Sequence, residues 1–168
     1  MEGRRVGVPK KDQKRMGLNV AIDTNVFIGV KNKDSSYSFS KVVLDWIDEG
    51  RVKGVVSTVV IAEMCAGYYE AKELREKDDF LVHLLSSPNY EVVEVSASVA
   101  DEAGRIRAVT GLRLPDALIV ASALKRGGKH MVSNDVSLKK ASEFINVLTP
   151  REFVEELEAE KRQGSQTI

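Results

Sequence analysis

Short apolar runs alternate along the chain with longer segments whose apolar residues recur at helical spacing. Five runs rich in valine and isoleucine have the length and composition of buried strands. They span residues 19–22, 52–56, 91–95, 130–133 and 144–148. We expect each run to form one strand of a central sheet.

The segments between these runs have the patterns of helices. Trp46 and Ile47 share one helical face, and Gly50 ends that helix. Residues 58–85 indicate two helices. Further helices are predicted over residues 97–109, 115–125 and 151–161. Alternating strands and helices predict an α/β fold: a single-domain, three-layer α/β/α sandwich with a central parallel sheet of four to five strands.

The predicted domain covers residues 18–161. Before it, residues 1–17 are basic and lack an apolar run, so we expect a disordered extension or an upstream start rather than a signal peptide. After it, residues 162–168 are expected to fray. No run approaches the roughly 20 apolar residues of a membrane span, which predicts a soluble, cytoplasmic protein. Cys65 is the single cysteine, which excludes an intramolecular disulfide and favours a reducing compartment.

The chain is neutral overall, but one segment of it is strongly basic. The chain has 168 residues, of which 43 % are hydrophobic and 30 % charged, and its 25 basic and 25 acidic residues give zero net charge. This balance argues against a strongly cationic protein that coats nucleic acid nonspecifically. Residues 104–140, however, contain eight basic and two acidic residues. This basic block is either a set of ordinary solvated helix faces or a basic surface beside a few acids.

Two acids directly follow predicted strands. Asp23 comes after the first run, and Asp135 follows the fourth. In parallel α/β sheets, ligands bind beyond the carboxyl ends of the strands, near the point where the strand order reverses. We therefore expect both acids to lie at a functional site. No glycine-rich phosphate loop follows the first strand, which argues against a dinucleotide or P-loop site.

Glu63 and Asp116 are two further acids in apolar surroundings. Carboxylates in such places lose hydration and repel one another, so they need a cation, a basic partner or a proton. A divalent metal, which takes hard oxygen ligands, would meet this need. Structural alternatives exist for Asp23 as a turn residue, Asp116 as a partner of a helix dipole and Asp135 as a helix cap. Glu63 is harder to explain in that way, because its predicted helix neighbours are apolar.

Four segments, in this order, make the sequence similar to the PIN-domain nucleases, and especially to the VapC-type toxins of bacterial and archaeal toxin–antitoxin pairs. The resemblance covers residues 18–154. The segments are Asp23-Thr24-Asn25 after a strand, Ile61-Ala62-Glu63 followed by Gly67, the stretch LPDALIVA around Asp116, and Ser133-Asn134-Asp135 after another strand. No acid of the family pattern is missing.

The resemblance implies a metal-dependent ribonuclease site. The acids facing one pocket that binds Mg²⁺ or Mn²⁺ would be Asp23, Glu63, Asp116 and Asp135, and the supporting polar residues would be Thr24, Asn25, Ser133 and Asn134. It also implies hydrolysis of RNA phosphodiesters that leaves a 5′-phosphate and a 3′-hydroxyl, a small antitoxin that blocks the pocket, and a homodimer. Arg113 is expected to contact a phosphate or, as an alternative, to form a surface salt bridge. The helix predicted near residues 58–69 is the expected antitoxin docking surface.

Two other classes of function stay open at this point. The domain could be a PIN-like RNA-binding or RNA-processing module outside a toxin–antitoxin system, although the presence of all four acids argues against binding alone. It could also be a metal-dependent phosphatase of small molecules. That class has a second aspartate two residues after the strand-end Asp, whereas position 25 of this chain is Asn25.

Overall fold

The five predicted strands form one sheet. A computed structural model of the chain describes residues 18–165. Its strands are β1 (Asn19–Ile22), β2 (Lys53–Ser57), β3 (Tyr90–Val93), β4 (His130–Val132) and β5 (Asn146–Leu148). They pair in parallel in the order β3-β2-β1-β4-β5, which confirms the predicted parallel sheet. Val20, Ala21 and Ile22 are all buried, as expected for a central strand covered on both faces.

Seven α-helices within residues 18–165 surround this sheet. They are α1 (Thr24–Asn32), α2 (Tyr37–Asp48), α3 (Thr58–Ala71), α4 (Leu74–Ser86), α5 (Ala97–Thr110), α6 (Leu114–Lys125) and α7 (Pro150–Ser165), and a 3₁₀ helix spans Val136–Ala141. The two helices predicted over residues 58–85 are confirmed as α3 and α4. Helices α1 to α4 and α7 pack in one connected group, whereas α5 packs against α6 and the 3₁₀ helix. The strand order runs in one direction from β1 to β3 and in the other from β3 to β5, so crossovers of the usual right hand place these groups on opposite faces of the sheet, which gives the predicted three layers.

Helix α1 is absent from the prediction based on sequence. Its stretch contains Val26 and Gly29, residue types that weaken helices in isolation. In the structure, Asp23 caps its first turn by accepting a hydrogen bond from Thr24 N at 2.8 Å, and Val26 is fully buried. Capping and burial therefore form a helix that the local pattern does not indicate.

The end of the last helix also differs from its prediction. Helix α7 continues to Ser165, four residues beyond the expected end at Lys161. The predicted C-terminal tail therefore begins inside this helix, and its residues 166–168 lie outside the described part of the chain. The predicted N-terminal extension, residues 1–17, lies outside it as well.

The strand order places the carboxyl ends of β1 and β4 at a topological switch. From β1 the chain moves outward to β2 and β3, and then crosses back to β4 on the other side of β1. Asp23 directly follows β1 and Ser133 directly follows β4. Asp23 N donates a hydrogen bond to Val132 O at 3.0 Å, which continues the pairing of the two strands. The position at which a ligand site is expected in such sheets is therefore occupied by these two residues.

Aromatic contacts hold the helices to this core. Phe27 of α1 packs edge-on against Phe80 of α4, with ring centroids 5.5 Å apart. Trp46 of α2 packs against Phe153 of α7 at 6.4 Å. The first contact fixes α1, and with it the residue that caps α1 at the sheet edge. Among residues 18–165, no helix has both the length and the apolar character needed to cross a membrane.

Candidate active site

Asp23 is buried within a network of neutral donors. Its side chain lies between the end of β1 and the start of α1, and the residue is 5 % exposed. Its Oδ1 accepts a hydrogen bond from Thr24 N at 2.8 Å, while its Oδ2 accepts from Ser133 Oγ at 2.7 Å and from Asn25 Nδ2 at 3.0 Å. These donors hold the carboxylate in one orientation, as groups behind a metal ligand do.

Burial raises the pKa of Asp23 from its ordinary 3.8 to about 6. The hydrogen bonds from Ser133 and Thr24 lower this pKa, but they do not offset the loss of hydration. The charges of Asp116 and Glu63 raise it further. A cation beside Asp23 would therefore stabilise the ionised carboxylate and relieve its repulsion from the other two acids.

A second layer of amide and hydroxyl groups joins the start of α1 to the segment after β4. Asn25 Oδ1 accepts a hydrogen bond from Asn134 N at 2.9 Å. Ser133 Oγ accepts from Asp135 N at 2.9 Å. Three of the four polar residues that the family resemblance implies as support are thus in contact, because Asn25 bonds to both Ser133 and Asn134, about 110 residues away in the chain. The fourth, Thr24, bonds to Asp23 and Glu63 instead.

Two serines of this network were missed by the sequence analysis. Asn134 Nδ2 donates to Ser36 Oγ and to Ser40 Oγ, each at 3.2 Å, and Ser40 is fully buried. A Cβ on Gly29 would collide with Ser36 Oγ, so the serine occupies space that only glycine leaves free. Ser40 precedes the apolar Val43 by three residues, and a polar residue on that buried face needs a partner. This polar position on a buried helical face is the feature of the sequence from which Ser40 could have been predicted.

Asp116 is a second buried acid, 6 % exposed, in the first turn of α6. Arg113 Nε donates to its Oδ2 at 3.0 Å, and Arg113 Nη2 donates to its Oδ1 at 3.5 Å. The Arg113 side chain is itself 76 % exposed, so the guanidinium covers the carboxylate from the solvent side. The salt bridge considered for Arg113 is thus present, and the phosphate contact stays a prediction.

Glu63 has surroundings that differ from those expected. Glu63, Ala66 and Gly67 are all exposed, so the predicted apolar face is wrong at this position, because this side of α3 is open to solvent. Glu63 still belongs to the site. Its Oε1 accepts a hydrogen bond from Thr24 Oγ1 at 2.9 Å, and its charge raises the pKa of Asp23.

Asp135 lies at the edge of this group. Its Oδ1 accepts a hydrogen bond from Ser137 N at 2.9 Å and so caps the 3₁₀ helix. That hydrogen bond lowers the pKa of Asp135, and the charges of Arg113 and Lys140 lower it further. The capping role that the sequence allowed for Asp135 is therefore present, and the carboxylate has partners of its own.

The four acids do not form a closed metal cage. Among the described residues, no three His, Cys, Asp or Glu side chains are arranged so that they could hold a metal ion by themselves. Asp23, Glu63 and Asp116 interact electrostatically, whereas Asp135 bonds to Ser137. Proteins usually hold Mg²⁺ by one or two carboxylates, with waters and a substrate phosphate completing its shell. The donor set therefore fits Mg²⁺ or Mn²⁺ in an open site.

Half of the basic residues in the basic block, residues 104–140, are paired with local acids. Four of its eight basic residues form ion pairs, which are Arg105–Glu102, Arg113–Asp116, Arg126–Glu91 and Lys139–Glu152. For half of its basic residues, the block therefore consists of solvated helix faces with ordinary ion pairs. The positive charge available to a polyanion is smaller than the residue count suggests.

Comparisons with known proteins identify relatives of this architecture. A model of the PIN domain family matches residues 20–159. A toxin–antitoxin complex from Klebsiella pneumoniae matches with a TM-score of 0.60 and 20 % identity, over 78 % of this chain and 97 % of that chain. DNA-bound VapBC from Salmonella typhimurium matches with a TM-score of 0.60 and 19 % identity, over 79 % of this chain and 98 % of that chain. VapC20 from Mycobacterium tuberculosis is described as a toxin that cleaves the sarcin-ricin loop. It matches with a TM-score of 0.62 and 18 % identity, over 76 % of this chain and 98 % of that chain. No curated protein sequence matches the chain.

Proposed function

Because this chain belongs to the PIN domain family of nucleases, we propose that it is a divalent-metal-dependent endoribonuclease. Its substrate would be single-stranded or looped RNA, cleaved to a 5′-phosphate and a 3′-hydroxyl. The observation that carries the proposal is the buried Asp23, which faces the charges of Glu63 and Asp116 while its hydrogen-bond donors among the described residues are neutral. Such an arrangement fits a site that holds a cation.

Asp23, Glu63 and Asp116 would hold Mg²⁺ or Mn²⁺ directly or through water, and Asp135 would complete the cluster or hold a second ion. When bound, the ion supplies Lewis-acid activation of water and offsets negative charge that develops at the attacked phosphate. Carboxylate oxygens are the hard ligands that both ions prefer. The raised pKa of Asp23 and the mutual repulsion of the acids support this assignment.

The neutral side chains have the task of orienting these acids. Thr24 contacts two of them, because its backbone N donates to Asp23 and its Oγ1 donates to Glu63 Oε1. Asn25 and Ser133 both donate to Asp23 Oδ2. Loss of such a group typically weakens metal affinity or activity by about 10-fold to 100-fold. The exposed guanidinium of Arg113 is the group best placed to meet a substrate phosphate.

Cleavage of single-stranded RNA with Mg²⁺, with EDTA, and by the Asp23→Asn and Asp116→Asn variants tests the proposal. We expect cleavage with Mg²⁺, and losses on the order of 100-fold or more in EDTA and in both variants. Asp101→Asn, which changes an exposed acid of α5, is the matched control and should cleave normally. Undiminished cleavage in EDTA or in both site variants would remove the metal mechanism. Faster turnover of a phosphomonoester than of RNA would instead indicate a phosphatase.

We further propose that the protein is the toxin of a toxin–antitoxin pair, forms a homodimer and acts in the cytoplasm. The support is the shared fold with a toxin–antitoxin complex and with a toxin described as cleaving the sarcin-ricin loop. Helix α3 carries exposed small residues, Ala62, Ala66 and Gly67, beside an exposed Tyr69. A partner helix can approach closely over small residues, so this face is the proposed antitoxin surface.

Co-expression with the product of an adjacent short reading frame tests the toxin role. We expect a stable complex whose RNA cleavage is suppressed, and a Tyr69→Glu variant that binds the product less well, because it places a charge on the proposed surface. Arg75→Glu changes an exposed residue of α4 and serves as the control. No complex with any neighbouring product would contradict the toxin role and leave the nuclease proposal standing.

A further inference from the structure

The ion pair between Arg113 and Asp116 contains the most buried acid among the ion pairs of the described residues. Arg113 is 76 % exposed, whereas the Asp116 side chain is 9 % exposed. The other arginine pair formed at the same helical spacing, Arg105 with Glu102, joins side chains that are 57 % and 33 % exposed. Arg113 therefore brings a solvent-exposed cation to a carboxylate that is otherwise withdrawn from water.

The backbone and the guanidinium of Arg113 are held by different partners. Arg113 precedes α6 at the capping position, and its carbonyl accepts a hydrogen bond from Ala117 N at 3.0 Å. Among the described residues, Asp116 is the sole hydrogen-bond acceptor of the guanidinium. The backbone of Arg113 is thus fixed beside the acids, and its guanidinium is bonded to a single carboxylate.

The guanidinium also lies within the field of the other acids. The hydrogen bond to Asp116 and the charge of Asp116 raise the pKa of Arg113, and the charges of Glu63 and Asp135 raise it further. Arg113 therefore faces three of the four acids assigned to the site. A divalent ion among these acids would compete with the guanidinium for Asp116, because both positive groups need the same carboxylate oxygens and repel each other.

We propose that Arg113 is an exchangeable counter-ion: it holds Asp116 when no metal is bound, and it turns to a substrate phosphate when a divalent ion takes Asp116. This inference rests on the proposed metal-dependent cleavage of RNA and adds a positioning residue that links the two ligands. Metal binding releases the guanidinium for phosphate, and phosphate draws it away from the metal ligand. The two ligands therefore bind with positive coupling, which must be equal in both directions.

Calorimetric titration of Mn²⁺ into the metal-free protein tests the exchange without any cleavage assay. In Arg113→Gln we expect Mn²⁺ to bind about fivefold more tightly than in the wild type, because an exposed ion pair no longer competes. A short single-stranded RNA with phosphorothioate linkages, which resist hydrolysis, should tighten Mn²⁺ binding to the wild type by a similar factor. The same RNA should tighten Mn²⁺ binding to Arg113→Gln by a smaller factor than in the wild type, because only direct contact between the phosphate and the ion remains.

Lys140→Gln separates exchange from a general effect of charge. Lys140 also acts on an acid of the site, Asp135, through its charge, but it forms no bond to Asp116. We expect its Mn²⁺ affinity and its coupling to RNA to stay near those of the wild type. Equal tightening in Lys140→Gln and Arg113→Gln would overturn the inference, and so would RNA coupling in Arg113→Gln that is as strong as in the wild type.

Thermal unfolding shows that the variants are folded and gives a second readout. Metal-free Arg113→Gln should unfold at a lower temperature than the wild type, because Asp116 loses its partner, and Mn²⁺ should raise its midpoint by the larger amount. Equal Mn²⁺ affinity of the wild type and Arg113→Gln would overturn the inference alone. Absence of Mn²⁺ binding in the wild type and all variants would overturn the proposed function together with it.

Discussion

At the scale of single residues, Asp23 carries a charge that the folded protein compensates incompletely. Its pKa rises from 3.8 to about 6, so between these values the folded chain binds more protons than the unfolded chain. Stability therefore falls as pH rises through this window, by about 3 kcal/mol once Asp23 is fully ionised. A buried carboxylate with incomplete compensation is typical of a functional site, and it lowers the stability of the folded protein.

The pH dependence of unfolding tests this charge. We expect the metal-free wild type to lose about 2 kcal/mol relative to Asp23→Asn between roughly pH 4 and pH 6, where most of the pH-dependent loss falls. Altered hydrogen bonds in the variant add a constant, which cancels from the pH dependence. Urea unfolding in EDTA across this range measures the difference, with Asp101→Asn as the exposed control. A difference that does not change with pH would show that Asp23 titrates normally.

Ser133 limits how far the pKa of Asp23 rises. Its hydroxyl donates to Asp23 Oδ2 at 2.7 Å and lowers the pKa. A hydrogen bond to a charged group contributes about 1.5–3 kcal/mol, so Ser133→Ala should raise the pKa of Asp23 by roughly one to two pH units. Carbon-13 NMR titration of the Asp23 carboxyl in EDTA measures this pKa in both proteins.

Ser122→Ala is the matched control for this titration. The Ser122 hydroxyl donates to Ser57 Oγ at 2.9 Å, in a buried pair that does not contact Asp23. The pKa of Asp23 should be the same in this variant as in the wild type. An unchanged pKa in Ser133→Ala as well would contradict the assigned role of the hydrogen bond.

At the scale of elements, the turn from α1 into α2 connects the site to the core. Ser36 donates to Asp34 Oδ1 at 2.6 Å and accepts from Asn134 Nδ2 at 3.2 Å. Asn134 in turn donates to Asn25, which lies beside the central acid. The packing of two helix ends therefore sets the position of the polar groups around the site, and a change at this junction should affect both stability and metal binding.

Gly29→Ala tests this junction, because its Cβ would collide with Ser36 Oγ. We expect a loss of about 1–3 kcal/mol in the free energy of unfolding, the usual cost of overpacking. Gly104→Ala in α5 is the control: a Cβ there meets nothing within 4 Å, and alanine should stabilise the helix by roughly 0.5–1 kcal/mol. Chemical unfolding followed by the fluorescence of Trp46 measures both. Stabilisation by both substitutions would contradict the tight contact.

At the scale of the whole molecule, charge is balanced in total, and ion pairs reduce the local excess of positive charge. The chain has 25 basic and 25 acidic residues, and half of the basic block is paired with nearby acids. Carboxylates assigned to a metal would lose part of their charge when the ion binds. Zero net charge is therefore compatible with a nuclease that contacts a short RNA locally, and it argues against tight coating of long polyanions.

The salt dependence of RNA binding measures how many phosphates the protein contacts. Each contact with a single strand adds about 0.7 to the steepness of log affinity against log salt, so we expect a slope no steeper than about −3, equivalent to about four contacts. Anisotropy of a labelled single-stranded RNA in EDTA gives this slope. Lys139→Gln should leave the slope unchanged, because Lys139 is paired with Glu152. A markedly steeper slope would indicate an extended basic surface.

The sequence by itself determined the elements and the candidate acids. Runs of valine and isoleucine predicted all five strands, and their alternation with helices predicted the parallel sheet. Motifs at strand ends identified Asp23 and the segment containing Ser133 as neighbours of one site. These features were predictable because hydrophobic periodicity, capping and turn formation depend on residues close together in the chain.

The tertiary structure decided the contacts that give these residues their chemistry. It formed α1 against the local pattern, exposed Glu63 on the open side of α3, paired Arg113 with Asp116, and placed Ser40 behind Asn134. Strand order brings together segments about 40 to 110 residues apart. Local periodicity carries no information about that order, and the burial, pKa and partner of each acid depend on it.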